Sequence, residues 1–337
     1  MKVLVYLGYQ HEELTPFHFD LCKSIGGTEI VAKQLAENLA KLGYDVTLGG
    51  RLINTKLNGV KWADLANVEA DYFDVAIGAS YLHFIDTIKA NRYYFWFHNT
   101  DFYPWLRGEA VIGPDRLNDE RIDGIIALTE WHKQRLIKDY GLTKPIYVIG
   151  NSIDRTTFSQ WSVKKEPASF IYSSARERGL DRLLNMWSKI KQVIPQATLN
   201  VFTPGYDRDQ RPDLELDGVH FRGSVGPEEL HKWQQKSEYW LHPTSYEETY
   251  CVTALEAQYA GCIPITTNLA ALTEVVGDRG FLCNVGETDE AFINIIKVIH
   301  RSSELKAKLR SKSYEWAKQQ AWNSRIREWQ QIIEQTQ

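Results

Sequence analysis

This sequence contains few cysteines and no long apolar run. The first scarcity argues against proteins built on disulfides or structural zinc, and the second argues against membrane-spanning proteins. Four cysteines are present among 337 residues, and no two of them are spaced as CxxC. This disfavours a structural zinc site or a disulfide framework and favours a reducing compartment. No apolar stretch reaches 18 residues, and the apolar run at the start of the chain is too short for a signal peptide. We therefore expect a soluble, cytoplasmic protein without a transmembrane segment.

The chain also lacks an excess of charge of one sign and lacks the glycine pattern GxGxxG. Its 39 basic and 43 acidic residues give a net charge of -4, which disfavours nucleic acid as a partner. The missing glycine pattern disfavours a dinucleotide site. With 43% hydrophobic residues, a chain of this length predicts two domains rather than one core.

Strand-like apolar runs alternate with amphipathic helical segments along most of the chain. The predicted strands are residues 3–8, 45–48, 73–78, 94–97, 124–128, 146–149, 169–173, 199–202, 219–221, 239–242 and 262–267. The predicted helices include residues 29–42, 81–90, 130–140, a segment from 180, 249–260 and 317–333. This alternation predicts an α/β fold of parallel, doubly wound sheets, whose ligands bind beyond the carboxyl ends of the strands. A polar linker places the domain boundary near Ser152.

Residues 239–267 carry the most informative pattern, which is a strand, a turn, a helix and a second strand. Glu247 and Glu248 stand in the turn, where carboxylates stabilise the positive end of a helix dipole. Glu256 follows Glu248 by eight residues, roughly 12 Å along a helix, which suits two ends of an extended ligand better than one metal ion. An anion or hydroxyl site at the helix N-terminus would use the amides of Thr249, Tyr250 and Cys251.

The two glutamates, together with Ala257 and the sequence Ala-Gly-Cys-Ile-Pro-Ile at 260–265, resemble the signature of retaining glycosyltransferases of the GT-B fold, family 4. In that family the first glutamate, here Glu248, holds the donor sugar with the amides that follow it. The second, here Glu256, binds the nucleotide ribose. The resemblance implies two Rossmann-like domains that face each other across a cleft. The implied segments are 1–152 on the acceptor side, 153–316 on the donor side, and a C-terminal helix, 317–337, that packs back on the first domain.

Two turns that precede helices match places where the family binds the donor diphosphate. Gly26-Gly27-Thr28 introduces a helix after the first strand, and the resemblance assigns Gly27 to the diphosphate, with a plain tight turn as the alternative. After the strand 169–173, Arg176 and Arg178 are candidates because arginine makes planar, multidentate contacts with phosphate, with solvated surface charge as the alternative. Ser174 occupies the same turn and is included as a donor contact.

Two further features follow strands. Ser224 and Val225 come after the strand 219–221, where the family binds the donor base through backbone groups. His98 follows the strand 94–97, so it should reach the edge of the sheet where a ligand binds. The resemblance assigns His98 a contact with the donor sugar at the reaction centre, although Asn99 stands where the family often has aspartate.

The resemblance implies a retaining, metal-independent hexosyltransferase. It would move a hexose-type sugar from a nucleoside-diphosphate sugar to a hydroxyl of a glycan, glycoprotein or lipid-linked acceptor, with His98 and Glu248 as the catalytic residues. No cofactor or metal is expected, because arginines and helix dipoles would stabilise the diphosphate. Asp207-Arg208-Asp209 matches the metal motif DxD formally, but its acidic loop favours a solvated turn. The alternatives are another nucleotide-sugar enzyme of this fold and a non-catalytic glycan-binding or scaffold protein.

Overall fold

The computed structural model describes residues 1–9, 12–21, 25–102, 105–106, 109–110, 113–158, 163–204 and 215–335. The chain divides into two compact units. The first contains residues 1–19 and 25–152 together with the last helix, and the second contains residues 153–321. Asp207-Arg208-Asp209 lies outside the described residues, so its interpretation as a solvated turn stays a prediction.

The part of the chain before residue 153 alternates strands with helices. Its strands are β1 (Lys2–Tyr6), β2 (Asp45–Gly49), β3 (Thr55–Leu57), β4 (Val60–Ala63), β5 (Tyr72–Ala79), β6 (Lys89–Trp96), β7 (Trp105–Leu106), β8 (Glu109–Ala110), β9 (Ile122–Ala127) and β10 (Ile146–Val148). Its helices are α1 (Pro16–Leu21), α2 (Gly27–Lys41), α3 (Leu65–Ala70), α4 (Phe84–Thr87) and α5 (Glu130–Tyr140).

Within the described residues, eight of these strands form one sheet in the order β10-β9-β6-β5-β1-β2-β4-β3. All neighbours are parallel except β3 and β4. The apolar run of β1 is buried because it pairs on both sides, with β2 and with β5. The strand order reverses between β1 and β5, and this switch point is where doubly wound sheets bind ligands.

The predicted elements of this unit are confirmed except around residues 81–93. The sequence predicts a helix over 81–90 and a strand from 94, but α4 ends at Thr87 and β6 begins at Lys89. Backbone pairing explains the difference, because Lys89 and Ala90 lie opposite Tyr72 and Phe73 of β5. The polar start of β6 therefore carries no apolar signal in the sequence.

The second unit has its own sheet. Its strands are β11 (Ser169–Ser173), β12 (Thr198–Phe202), β13 (Val219–Gly223), β14 (Tyr239–His242), β15 (Ile263–Asn268) and β16 (Phe281–Asn284). Its helices are α6 (Leu180–Val193), α7 (Pro227–Lys236), α8 (Val252–Tyr259), α9 (Leu272–Val275), α10 (Asp289–Arg301) and α11 (Ser303–Gln319). The strands are parallel in the order β13-β12-β11-β14-β15-β16, so the switch point lies between β11 and β14.

The last helix, α12 (Trp322–Ile333), packs within the first unit. Trp329 contacts Trp96 with ring centroids 4.7 Å apart, and Tyr94 Oη donates to the carbonyl of Ile332 at 3.2 Å. The sequence predicts this helix from residue 317, but α11 continues to Gln319 and α12 starts at Trp322. Among the described residues, no helix combines the length and the apolar character needed to cross a bilayer.

Candidate active site

A close backbone contact defines the switch point of the second unit. Gly179, at the end of the turn after β11, has a φ of 111°. A Cβ there would lie 2.7 Å from the carbonyl oxygen of Pro243, in the loop after β14. Glycine therefore lets the loops that follow β11 and β14 meet at the point where the strand order reverses.

Arg178 and Glu248 form an ion pair at this meeting point. Nη1 of Arg178 lies 3.0 Å from both carboxylate oxygens of Glu248. The guanidinium also lies over the ring of Tyr246, 4.4 Å from its centroid. Only 5% of the Glu248 side chain is exposed, against 30% of the Arg178 side chain. The carboxylate is thus held at the base of the site, while the arginine remains accessible to a ligand.

The electrostatics of Glu248 keep it ionised. Burial by itself would raise the pKa of this carboxyl, but His242 and Arg178 outweigh burial, and the pKa lies below its ordinary value. His242 Nε2 is 3.7 Å from the nearer carboxylate oxygen, which is longer than a hydrogen bond. An ionised carboxylate only accepts hydrogen bonds, which suits it to sugar hydroxyl donors.

The helix after this carboxylate begins later than the sequence suggests. The sequence predicts a start at Thr249, but α8 starts at Val252 because Cys251 adopts a left-handed conformation with a φ of 70°. The first bond of the helix runs from Ala254 N to Cys251 O at 3.1 Å. Thr249 and Tyr250 therefore precede the helix. Because Glu248 also lies before α8, the separation of roughly 12 Å along one helix axis does not apply to Glu248 and Glu256.

Glu256 is on α8, and a histidine from the preceding helix contacts it. His231 of α7 is buried, and its Nε2 lies 3.4 Å from Oε1 of Glu256. The His231 ring stacks on Phe158 with centroids 3.9 Å apart and an interplanar angle of 10°. Sequence reasoning missed His231, since a single histidine in an amphipathic helix carries no spacing signal.

The remaining candidates of the second unit follow strands of the same sheet. Ser174 comes directly after β11, and Ser224 and Val225 come directly after β13, so all three emerge at the carboxyl edge that also carries Glu248. Arg176 belongs to the same turn as Arg178, but its Nε donates to Asp181 at 2.9 Å. The structure thus brings Arg178 to Glu248, whereas Arg176 pairs at the surface.

In the first unit, Gly27 begins α2 directly after the N-cap residue Gly26. The backbone N–H of Gly26 donates to the carboxylate of Glu29 at 3.0 Å, which fixes this turn. A Cβ at Gly27 would have no described heavy atom within 4 Å, so its surroundings are open enough for a ligand to approach the backbone.

His98 lies two residues after β6 and is buried against Trp96, with ring centroids 4.2 Å apart. Burial, with a smaller contribution from His132, lowers the pKa of His98 to about 3, so the imidazole is neutral at physiological pH. His132 accepts at Nδ1 from Leu128 N at 3.2 Å and donates from Nε2 to the carbonyl of Asn99 at 2.9 Å. This bond, which holds the backbone beside His98, has no signal in the sequence.

Among the described residues, one group of potential metal ligands is present, and it belongs to the same site. His242, Glu248 and Cys251 are all buried, and their ligand atoms lie within 4.8 Å of one another. The donor set consists of an imidazole, a carboxylate and a thiol, which suits zinc better than magnesium or calcium.

Comparison with known proteins gives consistent similarities. Residues 168–301 match the family model described as Glycosyl transferases group 1. A phosphatidyl-myo-inositol mannosyltransferase from Propionibacterium freudenreichii subsp. shermanii is 24% identical over 213 residues, 58% of this chain. The match spans about half of that relative, 54% of its length.

Two solved structures resemble the whole chain. Sucrose-phosphate synthase from Thermosynechococcus elongatus has a TM-score of 0.74 at 15% identity and covers 98% of both chains. HepE from Anabaena, in complex with UDP-glucose, has a TM-score of 0.70 at 16% identity, with 99% of this chain and 98% of HepE covered. At these identities the similarity establishes the fold.

Proposed function

We propose that this chain, whose residues 168–301 match the family model of the group 1 glycosyltransferases and whose fold is GT-B, is a glycosyltransferase. It transfers a hexose-type sugar from a nucleoside-diphosphate sugar to an acceptor hydroxyl with retention of configuration. The observation that carries this proposal is the Arg178–Glu248 pair at the β11/β14 switch point. A buried anion for sugar hydroxyls and an accessible cation for phosphate lie there side by side.

Each donor contact follows from position and charge. Glu248 accepts hydrogen bonds from the sugar hydroxyls, and Arg178 turns from Glu248 towards the diphosphate when the donor binds. Arg176, Ser174 and Gly27 supply further diphosphate contacts. The ribose binds at Glu256, held by His231, and the base binds at the turn of Ser224 and Val225. The first turn of α8, together with the backbone of Thr249 to Cys251, completes the sugar site.

The chemistry is stabilisation of a leaving group. The bond from the anomeric carbon to the diphosphate oxygen breaks, a bond to the acceptor oxygen forms, and the acceptor hydroxyl passes its proton to the departing diphosphate oxygen. Negative charge builds on the diphosphate, where arginines and helix N-termini stabilise it without a metal or another cofactor. His98, with a pKa of about 3, is a weak base and instead orients the reacting sugar as a neutral hydrogen-bonding group.

For the substrates we propose UDP-glucose as the first donor to test, because HepE, a protein of the same fold, binds it. We propose a glycan hydroxyl as the acceptor. A lipid-linked hydroxyl is the competing choice, since the mannosyltransferase relative is named for a phosphatidyl-myo-inositol acceptor. A cytoplasmic location is proposed from cysteine usage, supported by three buried free cysteines, Cys251, Cys262 and Cys283.

The test combines donor selection with product stereochemistry. Thermal shifts against UDP-, GDP-, ADP- and TDP-sugars, with and without EDTA, should show saturable stabilisation by one donor that EDTA does not change. With that donor, a panel of glycan and lipid-linked acceptors should yield a product whose anomeric configuration, read by NMR, equals that of the donor. An inverted product would overturn the retaining mechanism, and a folded protein that no donor stabilises would favour a non-catalytic scaffold.

A further inference from the structure

The base of the donor site contains a histidine that the proposed reaction does not use. His242 is the last residue of β14 and is 0% exposed. Among the described residues, neither its Nδ1 nor its Nε2 has a hydrogen-bond partner. Most buried polar groups in proteins are hydrogen-bonded, so a buried imidazole with two unsatisfied nitrogens requires an explanation.

The residues around His242 explain why its two ring nitrogens are unsatisfied. Its Nε2 lies 3.7 Å from Oε1 of Glu248, and the thiol of Cys251 completes a group whose ligand atoms all lie within 4.8 Å of one another. In a tetrahedral zinc site, metal–ligand distances of about 2.0 to 2.3 Å place neighbouring ligand atoms about 3.5 Å apart. Side-chain movements on the order of 1 Å would therefore bring the three atoms to ligating distance.

We propose that His242, Glu248 and Cys251 form an inhibitory site for a thiophilic divalent cation of the Zn²⁺ class. The donor set favours such an ion over Mg²⁺ or Ca²⁺, because thiolate and imidazole ligands select zinc-like metals. On binding, the Cys251 thiol transfers its proton to solvent and coordinates as the thiolate, His242 coordinates through Nε2, and Glu248 coordinates through one carboxylate oxygen. A fourth position remains for water.

Arg178 has to move away from Glu248 before a cation can bind there. Its side chain is 30% exposed and stacks on Tyr246, so the guanidinium can turn towards solvent without crossing the core. Repulsion between the cation and the arginine favours that movement, and it also limits the affinity relative to a dedicated structural zinc site. The ion would bind as a reversible inhibitor.

The consequence rests on the proposed function. A cation on Glu248 occupies the carboxylate that would accept the sugar hydroxyls and displaces the arginine that would hold the diphosphate. Transfer should therefore be unaffected by EDTA in metal-free buffer and inhibited by Zn²⁺, and the inhibition should be competitive with the donor.

Cobalt binding tests the site without any donor. Titration of the full chain with Co²⁺ should produce a thiolate-to-cobalt charge-transfer band with one equivalent, and Zn²⁺ should abolish the band. In Cys251→Ser the band should disappear, whereas in Cys283→Ser, which alters another buried free cysteine, it should persist. Circular dichroism and thermal melting confirm that each variant is folded.

The outcomes separate this inference from the proposed function. A folded wild-type protein without a charge-transfer band at millimolar Co²⁺, or a band that survives in Cys251→Ser, overturns the metal site whatever the donor panel shows. A Cys251-dependent band in a protein that binds no nucleotide sugar retains the site and overturns the transferase. If both are present, Zn²⁺ should raise KM for the donor at least about tenfold with kcat unchanged, and Zn²⁺ that lowers kcat alone contradicts competition at Glu248.

Discussion

The backbone of Gly179 lies so close to Pro243 that a Cβ on the glycine would be 2.7 Å from the proline carbonyl oxygen. This contact joins the two loops that carry Arg178 and Glu248. Only a residue without a side chain combines this approach with a φ of 111°.

Gly179→Ala should therefore lower the stability by about 2 to 4 kcal/mol and weaken donor binding, because the two loops must move apart. Urea unfolding and donor titration measure the two effects. The matched control is Gly43→Ala, where φ is 91° but no described heavy atom lies within 4 Å of the added Cβ. That variant should lose only about 1 kcal/mol of conformational strain and bind donor normally. Equal losses in both variants would contradict the close contact.

Removing Arg178 takes away one of the two side chains that offset the burial of Glu248. Arg178→Met is expected to cost about 2 kcal/mol, less than for a fully buried pair because 30% of the arginine side chain is exposed. Arg176→Met removes a similar arginine whose partner, Asp181, is 61% exposed, and it should change stability by less than about 0.5 kcal/mol.

A double-mutant cycle with Glu248→Gln tests whether the stability loss in Arg178→Met comes from its interaction with Glu248. Once the buried charge is gone, Arg178→Met should cost little, so the two single changes should not add. Additive losses in urea unfolding would show that the two side chains do not interact.

Three buried histidines of the first unit should make the protein sensitive to acid. Burial lowers the pKa of His83 and His132 to about 4 and that of His98 to about 3. The unfolded chain therefore binds more protons than the folded one below about pH 6.5, and stability is lost as the pH falls from there towards 4.

Each histidine contributes a slope of up to about 1.4 kcal/mol per pH unit to that loss. Urea unfolding from pH 7.5 to 4.5 measures the slope, and His132→Gln should reduce it by up to one proton, whatever the variant does to stability at pH 7.5. An unchanged slope in His132→Gln would mean that this histidine is not held neutral in the folded protein.

His231 should position Glu256 for the ribose of the donor. His231→Phe keeps an aromatic ring against Phe158 but removes the nitrogen that lies 3.4 Å from Glu256. We expect the affinity for the donor and for its free nucleoside diphosphate to fall by a similar factor, about fivefold, since both carry the ribose, while kcat changes little. Loss of kcat with unchanged nucleotide affinity would contradict this role.

Much of the fold follows from the sequence, whereas the contacts of the site follow only in part. The alternation of apolar strands with helices predicts the parallel sheets. The two glutamates, Glu248 and Glu256, mark the turn after β14 as the candidate site. The sequence could not show that Arg178 pairs with Glu248, because 70 residues separate them and the pairing depends on the strand order. The late start of α8 was missed because nothing in the sequence marks Cys251 as left-handed. His132 and His231 were missed because single histidines form no pattern.

The most direct test asks whether Glu248 binds the sugar part of the donor. Calorimetric titration should compare Glu248→Gln with the wild type and with Glu247→Gln, which changes the exposed neighbour. We expect Glu248→Gln to lose at least about tenfold in affinity for the nucleotide sugar, the loss of a hydrogen bond to a charged group, and to keep its affinity for the free nucleoside diphosphate within about twofold. Equal losses for both ligands, or no loss for either, would contradict the assignment of Glu248 to the donor sugar.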